Sequence, residues 1–123
     1  MPTAAEVIAV VDDDAATRQS IERLLSARGY TVNTFESAEE FLESALVKST
    51  RGLVLDIHLK GMSGIELRRR LSVAKSTIPV VFITAYDDDA TRNEALGVGC
   101  VACLQKPFAA DRLTEALERG MRF

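Results

Sequence analysis

The sequence predicts a doubly wound α/β fold, in which a five-stranded parallel sheet carries helices on both faces. Short β-branched segments alternate with amphipathic helical segments in a βαβαβαβαβα pattern. Acidic or polar residues directly follow the first, third, fourth and fifth strand segments, where folds of this kind place their chemistry. The length of 123 residues, 47% of them hydrophobic, suits one domain over residues 1–123.

The first three elements are a strand, a helix and a second strand. Val7–Val11 is a continuous β-branched run, which is typical of a strand buried on both faces. Residues 15–28 repeat apolar side chains at helical spacing, and Gly29 follows where a left-handed cap would end the helix. Residues 30–35 alternate around Val32 and are the predicted second strand.

The next three elements are a helix, a strand and a helix. Ser37 and Glu40 form a capping box that begins the second helix. The apolar residues of this helix are Phe41, Leu42, Ala45 and Leu46. Residues 53–55 are the third strand, which ends in Asp56, and a third helix follows a glycine-containing loop. The apolar residues of the third helix are Ile65, Leu67 and Leu71.

The last four elements complete the alternation. Pro79 introduces the fourth strand at residues 80–83, which ends at Thr84, and the acidic run 87–89 suits the N-terminus of a fourth helix. Residues 101–105 are the fifth strand, which ends at Lys106. The final helix contains Arg112, Leu113, Ala116 and Leu117 and runs to near the chain end.

Composition argues against several classes of protein. Fifteen Lys and Arg against eighteen Asp and Glu give a net charge of −3, so the chain lacks the basic excess that binds nucleic acid directly. Its apolar runs are far shorter than the ~20 residues that span a bilayer, and we expect no membrane contact. Two cysteines and the absence of a basic-then-apolar leader predict a protein of the reducing cytoplasm.

Polar residues with complementary chemistry meet at one edge of the predicted sheet. They are Asp12, Asp13 and Asp14 after the first strand, Asp56 after the third, Thr84 after the fourth and Lys106 after the fifth. With the strand order 2-1-3-4-5, the acidic residues flank the crevice where the order reverses. Gathered carboxylates favour a hard cation such as Mg²⁺, while a lysine and a hydroxyl complement a phosphoryl group. One carboxylate remains as a nucleophile, as in aspartyl-phosphate enzymes.

With these residues in place, the chain resembles the receiver domain of two-component response regulators from Val7 to Met121. The motifs that carry the resemblance keep the family's order and spacing. They are Val10-Val11-Asp12-Asp13, Leu55-Asp56, Gly61-Met62-Ser63-Gly64, Thr84-Ala85 and Lys106-Pro107-Phe108. The resemblance implies a flavodoxin-like fold and a phosphorylation-controlled switch. It implies no enzyme activity beyond Mg²⁺-dependent self-phosphorylation and self-dephosphorylation.

The resemblance also implies the phosphoacceptor and the metal ligands. Asp56 is expected to accept a phosphoryl group from a phosphohistidine on a sensor histidine kinase or a histidine phosphotransfer protein. Mg²⁺, or Mn²⁺, is expected to bind Asp13, Asp56 and the backbone carbonyl of His58, with Asp12 acting chiefly through a metal-bound water.

The same resemblance implies the residues that sense the phosphoryl group. Lys106, Thr84 and Ala85 are expected to contact it, and the Lys106–Pro107 bond is expected to be cis. Movement of Thr84 is expected to change the surface of the fourth helix, fifth strand and fifth helix, which would control an output domain, a target protein or a homodimer.

Five positions depart from the family's usual residues or vary within it. Cys103 stands where the family usually has a switch aromatic, so we do not expect the usual ring rotation. Leu59 and Lys60 replace the frequent Met-Pro, so the loop loses the stiffness of proline and gains a charge. His58 and Tyr86 occupy variable positions that, by the resemblance, flank the path of the hydrolytic water and tune phosphate lifetime.

Simpler interpretations apply to several other residues. Asp14 and the run 87–89 are predicted to be helix caps rather than metal ligands. Cys100 and Cys103 form a C-x-x-C pattern, but residues three apart on a strand point to opposite faces. If the fifth strand begins at or before Cys100, pairing of the two sulfurs is geometrically poor, and we expect buried apolar thiols. Residues 97–102 imitate a dinucleotide-binding glycine motif, yet they precede a strand instead of linking a strand to a helix.

Two other functions compete with the receiver interpretation. A haloacid-dehalogenase-type phosphohydrolase would use Asp12 as nucleophile, but this leaves Asp56 without a central role. A pseudo-receiver would bind partners without phosphorylation, but it predicts loss of acidic or lysine positions, and none is lost here.

Overall fold

The computed structural model describes residues 6–86 and 88–121. The strands are β1 (Val7–Val11), β2 (Thr31–Phe35), β3 (Gly52–Asp56), β4 (Val80–Thr84) and β5 (Ala102–Gln105). The helices are α1 (Ala15–Ala27), α2 (Ala38–Glu43), α3 (Gly64–Val73), α4 (Asp89–Val98) and α5 (Ala110–Met121), and a 3-10 turn covers Val47–Ser49. Within these described ranges, no helix has the length and apolar content to cross a membrane.

The five strands form one parallel sheet of order β2-β1-β3-β4-β5, which confirms the predicted fold class. β1 lies between β2 and β3, and its last residue, Val11, is opposite Phe35 on one side and Leu55 on the other. The strand order therefore reverses beside β1. The carboxyl ends of β1 and β3 border the crevice at that edge.

The hydrophobic core has two parts, one on each face of the sheet. Phe41, Leu67 and Phe82 belong to the part under α2, α3 and α4. Leu25 and Leu117 belong to the part under α1 and α5. Every residue of β3 and β4 is buried, as expected for central strands covered on both faces. This packing holds the strand ends in fixed relative positions.

Two of the predicted acidic caps lie at helix N-termini. The side chain of Asp14 accepts the backbone N–H of Ala16 in α1, and that of Asp88 accepts the backbone N–H of Thr91 in α4. These contacts confirm the capping interpretation for both residues. Asp87 was predicted to share in this cap and lies outside the described residues.

The second helix is shorter than the sequence predicted. α2 ends at Glu43, so Ala45 and Leu46 are not part of it. Ser44 leaves the helical backbone at ψ 153°, and its hydroxyl donates to the carbonyl of Phe41 at 2.8 Å. A serine hydroxyl that competes for a helix carbonyl ends the helix there.

The two cysteines lie on the same side of the sheet, because the condition for placing them on opposite faces, a fifth strand that begins at or before Cys100, is not met. β5 begins at Ala102, and the consecutive residues Val101 and Ala102 both pack on the α1/α5 side of the sheet. Strand alternation therefore starts only after Cys100. As a result, Cys100 and Cys103 pack against the same part of the core, and both are half-buried.

Candidate functional site

Three aspartates converge at the carboxyl ends of β1 and β3. Asp12 is fully buried, Asp56 is 5% exposed, and Asp13 is exposed at the rim. One carboxylate oxygen from each lies within 4.8 Å of the others. Because the strands are parallel and in fixed register, their ends bring residues distant in sequence to one point.

Lys106 reaches this acidic cluster from the end of β5. Its Nζ donates to Oδ2 of Asp12 at 2.8 Å and to Oδ2 of Asp56 at 3.2 Å. The backbone N–H of Lys106 donates to the carbonyl of Thr84 at 2.7 Å, which ties the end of β5 to the end of β4. The peptide bond between Lys106 and Pro107 is cis.

Burial and charge act in opposite directions on the protonation of this cluster. Burial, followed by the charge of Asp12, raises the pKa of Asp56 above its ordinary value of 3.8, although Lys106 opposes the shift. Burial alone would lower the pKa of Lys106, but its hydrogen bond to Asp12 and the two carboxylate charges raise it overall. Lys106 therefore stays cationic, and burial beside Asp12 disfavours the charged form of Asp56.

Thr84, at the end of β4, uses its hydroxyl within its own loop. The Oγ1 of Thr84 accepts the backbone N–H of Tyr86 at 3.0 Å and donates to the carbonyl of Tyr86 at 3.2 Å. Thr84 is 3% exposed, whereas Ala85, the residue between the two, is exposed. The hydroxyl lies at the same sheet edge as the aspartates and is bonded to the loop that leads into α4.

His58 and Tyr86 form an aromatic contact at the mouth of the site. Their ring centroids are 4.7 Å apart at an interplanar angle of 80°. The backbone N–H of His58 donates to Oδ1 of Asp56 at 3.1 Å, so this histidine is attached directly to the acidic cluster. The pair thus joins the loop after β3 to the loop after β4.

Cys103 lies outside this cluster. It is on β5 opposite Phe82 of β4 and packs against the core on the α2/α3/α4 side of the sheet. The structure therefore brings together the sequence-predicted residues Asp12, Asp13, Asp56, His58, Thr84, Ala85, Tyr86 and Lys106, but leaves Cys103 in the core.

Two further residues shape the site without a role assigned from the sequence. A Cβ on Gly64 would lie 2.3 Å from the backbone oxygen of Asp56, so only glycine fits at the start of α3. The Nη1 of Arg18 donates to the carbonyl of Asp12 at 2.7 Å. Gly64 belongs to a recognised motif, and its place there was the available signal, whereas nothing in the sequence marks Arg18.

The donor set fits a hard divalent cation. All three grouped side chains are carboxylates, two of them buried, and oxygen is the ligand that Mg²⁺ prefers. Asp12 and Asp56 share the ammonium of Lys106. The three carboxylates therefore carry more negative charge than this one cation offsets. This cluster therefore has the composition to hold Mg²⁺.

Comparison with known proteins gives consistent matches. A model of the family described as "Response regulator receiver domain" matches residues 8–118. The transcriptional regulatory protein FixJ of Bradyrhizobium diazoefficiens is 38% identical over 115 residues, which are 94% of this chain and 56% of FixJ. The chain spans about half the length of the curated relatives it matches.

Two solved structures superpose on nearly the whole of this chain. The crystal structure of FixJ-N superposes with a TM-score of 0.86 at 35% identity, covering 97% of this chain and 95% of that chain. The low-resolution structure of the response regulator StyR superposes with a TM-score of 0.88 at 39% identity, covering 97% of this chain and 60% of that chain.

Proposed function

This chain belongs to the response regulator receiver domain family, and from that premise we propose that Asp56 accepts a phosphoryl group from a phosphohistidine. The family is one of signalling domains in two-component systems. The observation that carries the proposal is the position of Asp56, buried beside Asp12 and within 3.2 Å of the Lys106 ammonium. A carboxyl whose pKa is raised and which lies beside a fixed ammonium is typical of a reactive group, here the acceptor of a phosphoryl group.

The proposed transfer is an in-line displacement at phosphorus. An oxygen of Asp56 forms the new P–O bond, the P–N bond to the donor imidazole breaks, and the imidazole leaves with the bonding electron pair. In the later, separate hydrolytic step, a water oxygen attacks phosphorus and the P–O bond to Asp56 breaks. The products are inorganic phosphate and the free carboxylate.

Asp12, Asp13, Asp56 and the backbone carbonyl of His58 would hold Mg²⁺ or Mn²⁺ in this proposal. When bound, the cation supplies charge neutralisation at the phosphoryl oxygens. Lys106 supplies a second positive charge, since its ammonium already lies against Asp56 and needs only to exchange a carboxylate for a phosphoryl oxygen.

Thr84 would carry the signal away from Asp56. Its hydroxyl turns from the backbone of Tyr86 to the phosphoryl group, which also meets the backbone of Ala85. The loop into α4 then moves, and the α4, β5 and α5 surface changes. Cys103 offers no ring to follow this movement, so we assign the response to the loop itself.

His58 and Tyr86 would set the lifetime of the aspartyl phosphate. Their ring centroids lie 4.7 Å apart beside Asp56. Tyr86 is 59% exposed, so the pair borders solvent. The two rings limit the approach of the attacking water. The contact supports the tuning role that the resemblance implies for both residues.

The whole protein's partners are part of the same proposal. We expect a sensor histidine kinase or a histidine phosphotransfer protein as donor, and an output domain or a target protein as receiver of the signal. Phosphorylation-dependent homodimerisation through the α4, β5 and α5 surface is the form of output that this domain could show alone. Residues 1–123 would act as one receiver domain.

Intact-mass analysis tests the acceptor. The parent chain and the Asp56→Asn variant are incubated with Mg²⁺ and acetyl phosphate. We expect a gain of one phosphoryl group by the parent and none by the variant. Labelling of both chains would contradict the assignment of Asp56 and favour a nucleophile such as Asp12, and labelling of neither, even with histidine kinases supplied, would favour a module that is not phosphorylated.

A further inference from the structure

The loop between β3 and α3 is held from outside by Glu39, a residue of the first turn of α2. The Oε2 of Glu39 accepts the backbone N–H of Met62 at 3.1 Å. The same oxygen would be 2.5 Å from a Cβ on Gly61, whose φ is +74°. The positive φ favours glycine at position 61, and a side chain there would displace the Glu39 carboxylate.

The other end of the same loop contacts the acidic cluster. The backbone N–H of Lys60 donates to Oδ2 of Asp13 at 3.4 Å. Farther along, the hydroxyl of Ser63 accepts the N–H of Glu66 and begins α3. Residues 60–63 therefore lie between Glu39 on one side and the metal-ligand candidate Asp13 on the other.

The sequence contains no proline to stiffen this segment. Residues 56–64 read Asp-Ile-His-Leu-Lys-Gly-Met-Ser-Gly, with glycine at two of the nine positions. A backbone of this composition has many accessible conformations, so an external contact is needed to fix it. The carboxylate of Glu39 is the side chain that supplies such a contact to Met62.

A simpler interpretation is that Glu39 only complements the dipole at the N-terminus of α2. Glu40 also lies in the first turn of α2 and can complement the dipole, so the dipole does not require Glu39. The hydrogen bond from Met62 is the largest cause that lowers the pKa of Glu39, ahead of its own backbone. Geometry agrees, since this carboxylate accepts the N–H of Met62 in the loop at 3.1 Å.

We propose that Glu39 is a positioning residue of the phosphorylation site, which holds residues 60–63 so that Asp13 is presented to the metal ion. This role rests on the proposed function, because it concerns Mg²⁺ binding and the reaction of Asp56. Glu39 acts through the loop and touches neither the metal ligands nor the phosphoryl group.

The test compares Glu39→Ala with Glu39→Gln and with Glu43→Ala. Glu43 is an exposed carboxylate on the same helix, so its removal changes the net charge by the same amount. Glu39→Gln removes the charge but keeps an acceptor oxygen for Met62. Mg²⁺ affinity is measured by titration calorimetry, phosphorylation by acetyl phosphate at varied Mg²⁺, and protection of the Met62 amide by hydrogen exchange.

We expect Glu39→Ala to weaken Mg²⁺ binding by about threefold to tenfold, below the range for buried partners of metal ligands. The Mg²⁺ concentration that half-saturates phosphorylation rises by the same factor, while the maximal rate changes less. The Met62 amide loses protection. Glu39→Gln restores most of the affinity, and Glu43→Ala binds Mg²⁺ like the parent.

Two results would overturn this role. One is Mg²⁺ affinity of Glu39→Ala within twofold of Glu43→Ala, and the other is a Gln variant as weak as the Ala variant, which would assign the effect to charge alone. A parent chain that neither binds Mg²⁺ nor gains a phosphoryl group would instead overturn the proposed function. Protection of the Met62 amide still tests the contact in that case.

Discussion

The ammonium of Lys106 lies 3.2 Å from Oδ2 of Asp56, so the phosphoacceptor candidate is paired with a cation before any phosphoryl group arrives. The same ammonium is 2.8 Å from Asp12, which is fully buried. One positive charge therefore serves two carboxylates that would otherwise repel each other. This arrangement links the stability of the domain and, under the proposed function, the reactivity of Asp56 to the same side chain.

Replacement of Lys106 by Met is expected to destabilise the fold. The methionine keeps the apolar stem but leaves the carboxylates of Asp12 and Asp56 facing each other without a cation, which costs roughly 3 kcal/mol at pH 7. Urea unfolding measures this loss, and Lys48→Met, an exposed lysine, is the control. The loss shrinks as the pH falls and Asp56 protonates. A loss as large at pH 4 as at pH 7 would argue against the charge explanation.

Asp56→Asn is expected to stabilise the domain at neutral pH. The folded-state pKa of Asp56 is raised, so folding disfavours its charged form, and this penalty is present above the folded pKa and absent below the ordinary value of 3.8. The amide oxygen can still accept the N–H of His58. We expect the Tm to rise by roughly 2–5 °C at pH 7, as about 1 kcal/mol gives in a domain of this size. Scanning calorimetry at pH 7 and at pH 3.5 checks that the gain disappears in acid.

Gly64→Ala is expected to damage the site by direct overlap. The added Cβ would lie 2.3 Å from the backbone oxygen of Asp56, and this backbone belongs to a fully buried strand. We expect a loss of about 3 kcal/mol or more. Gly97→Ala is the matched control, since a Cβ there meets nothing within 4 Å, and it should stabilise α4 by about 0.5–1 kcal/mol. Equal effects of the two substitutions in chemical unfolding would contradict the overlap.

Tyr86→Ala is expected to shorten the life of the aspartyl phosphate. Loss of the ring beside His58 opens the approach of water, and we expect hydrolysis to quicken about threefold to tenfold, or roughly 0.7–1.4 kcal/mol of barrier. His58→Ala should act through the same contact, so the double variant should show less than the product of the two effects. Loss of radiolabelled phosphate over time measures each rate. Leu96→Ala, which is as exposed as Tyr86, is the control.

The order of elements, the sheet order and the convergence of the strand-end residues could be predicted from the sequence. Continuous apolar strands and amphipathic helices specify a covered parallel sheet, and parallel strands bring their carboxyl ends together. The capping roles of Asp14 and Asp88 could also be predicted, because an acidic residue just before a helix has a specific partner in the backbone.

The errors arose where a local contact overrode the repeating pattern. Leu46 fits the helical period of α2, but the hydroxyl of Ser44 takes a helix carbonyl first. Cys100 fits strand alternation only if β5 starts early, and it does not. The contacts of Glu39 with Met62 and of Arg18 with Asp12 join separate elements, and no periodicity encodes them.

The hydroxyl of Thr84 gives the unphosphorylated domain a measurable bias. Its two hydrogen bonds to the backbone of Tyr86 must both break before it can turn toward Asp56. At about 1 kcal/mol net for each bond, the turned form is disfavoured by roughly 30-fold, so about 3% of molecules hold it at any moment. A minor population of this size is within reach of relaxation-dispersion NMR at Tyr86, and under the proposed function it would set the basal output in the absence of a phosphoryl donor.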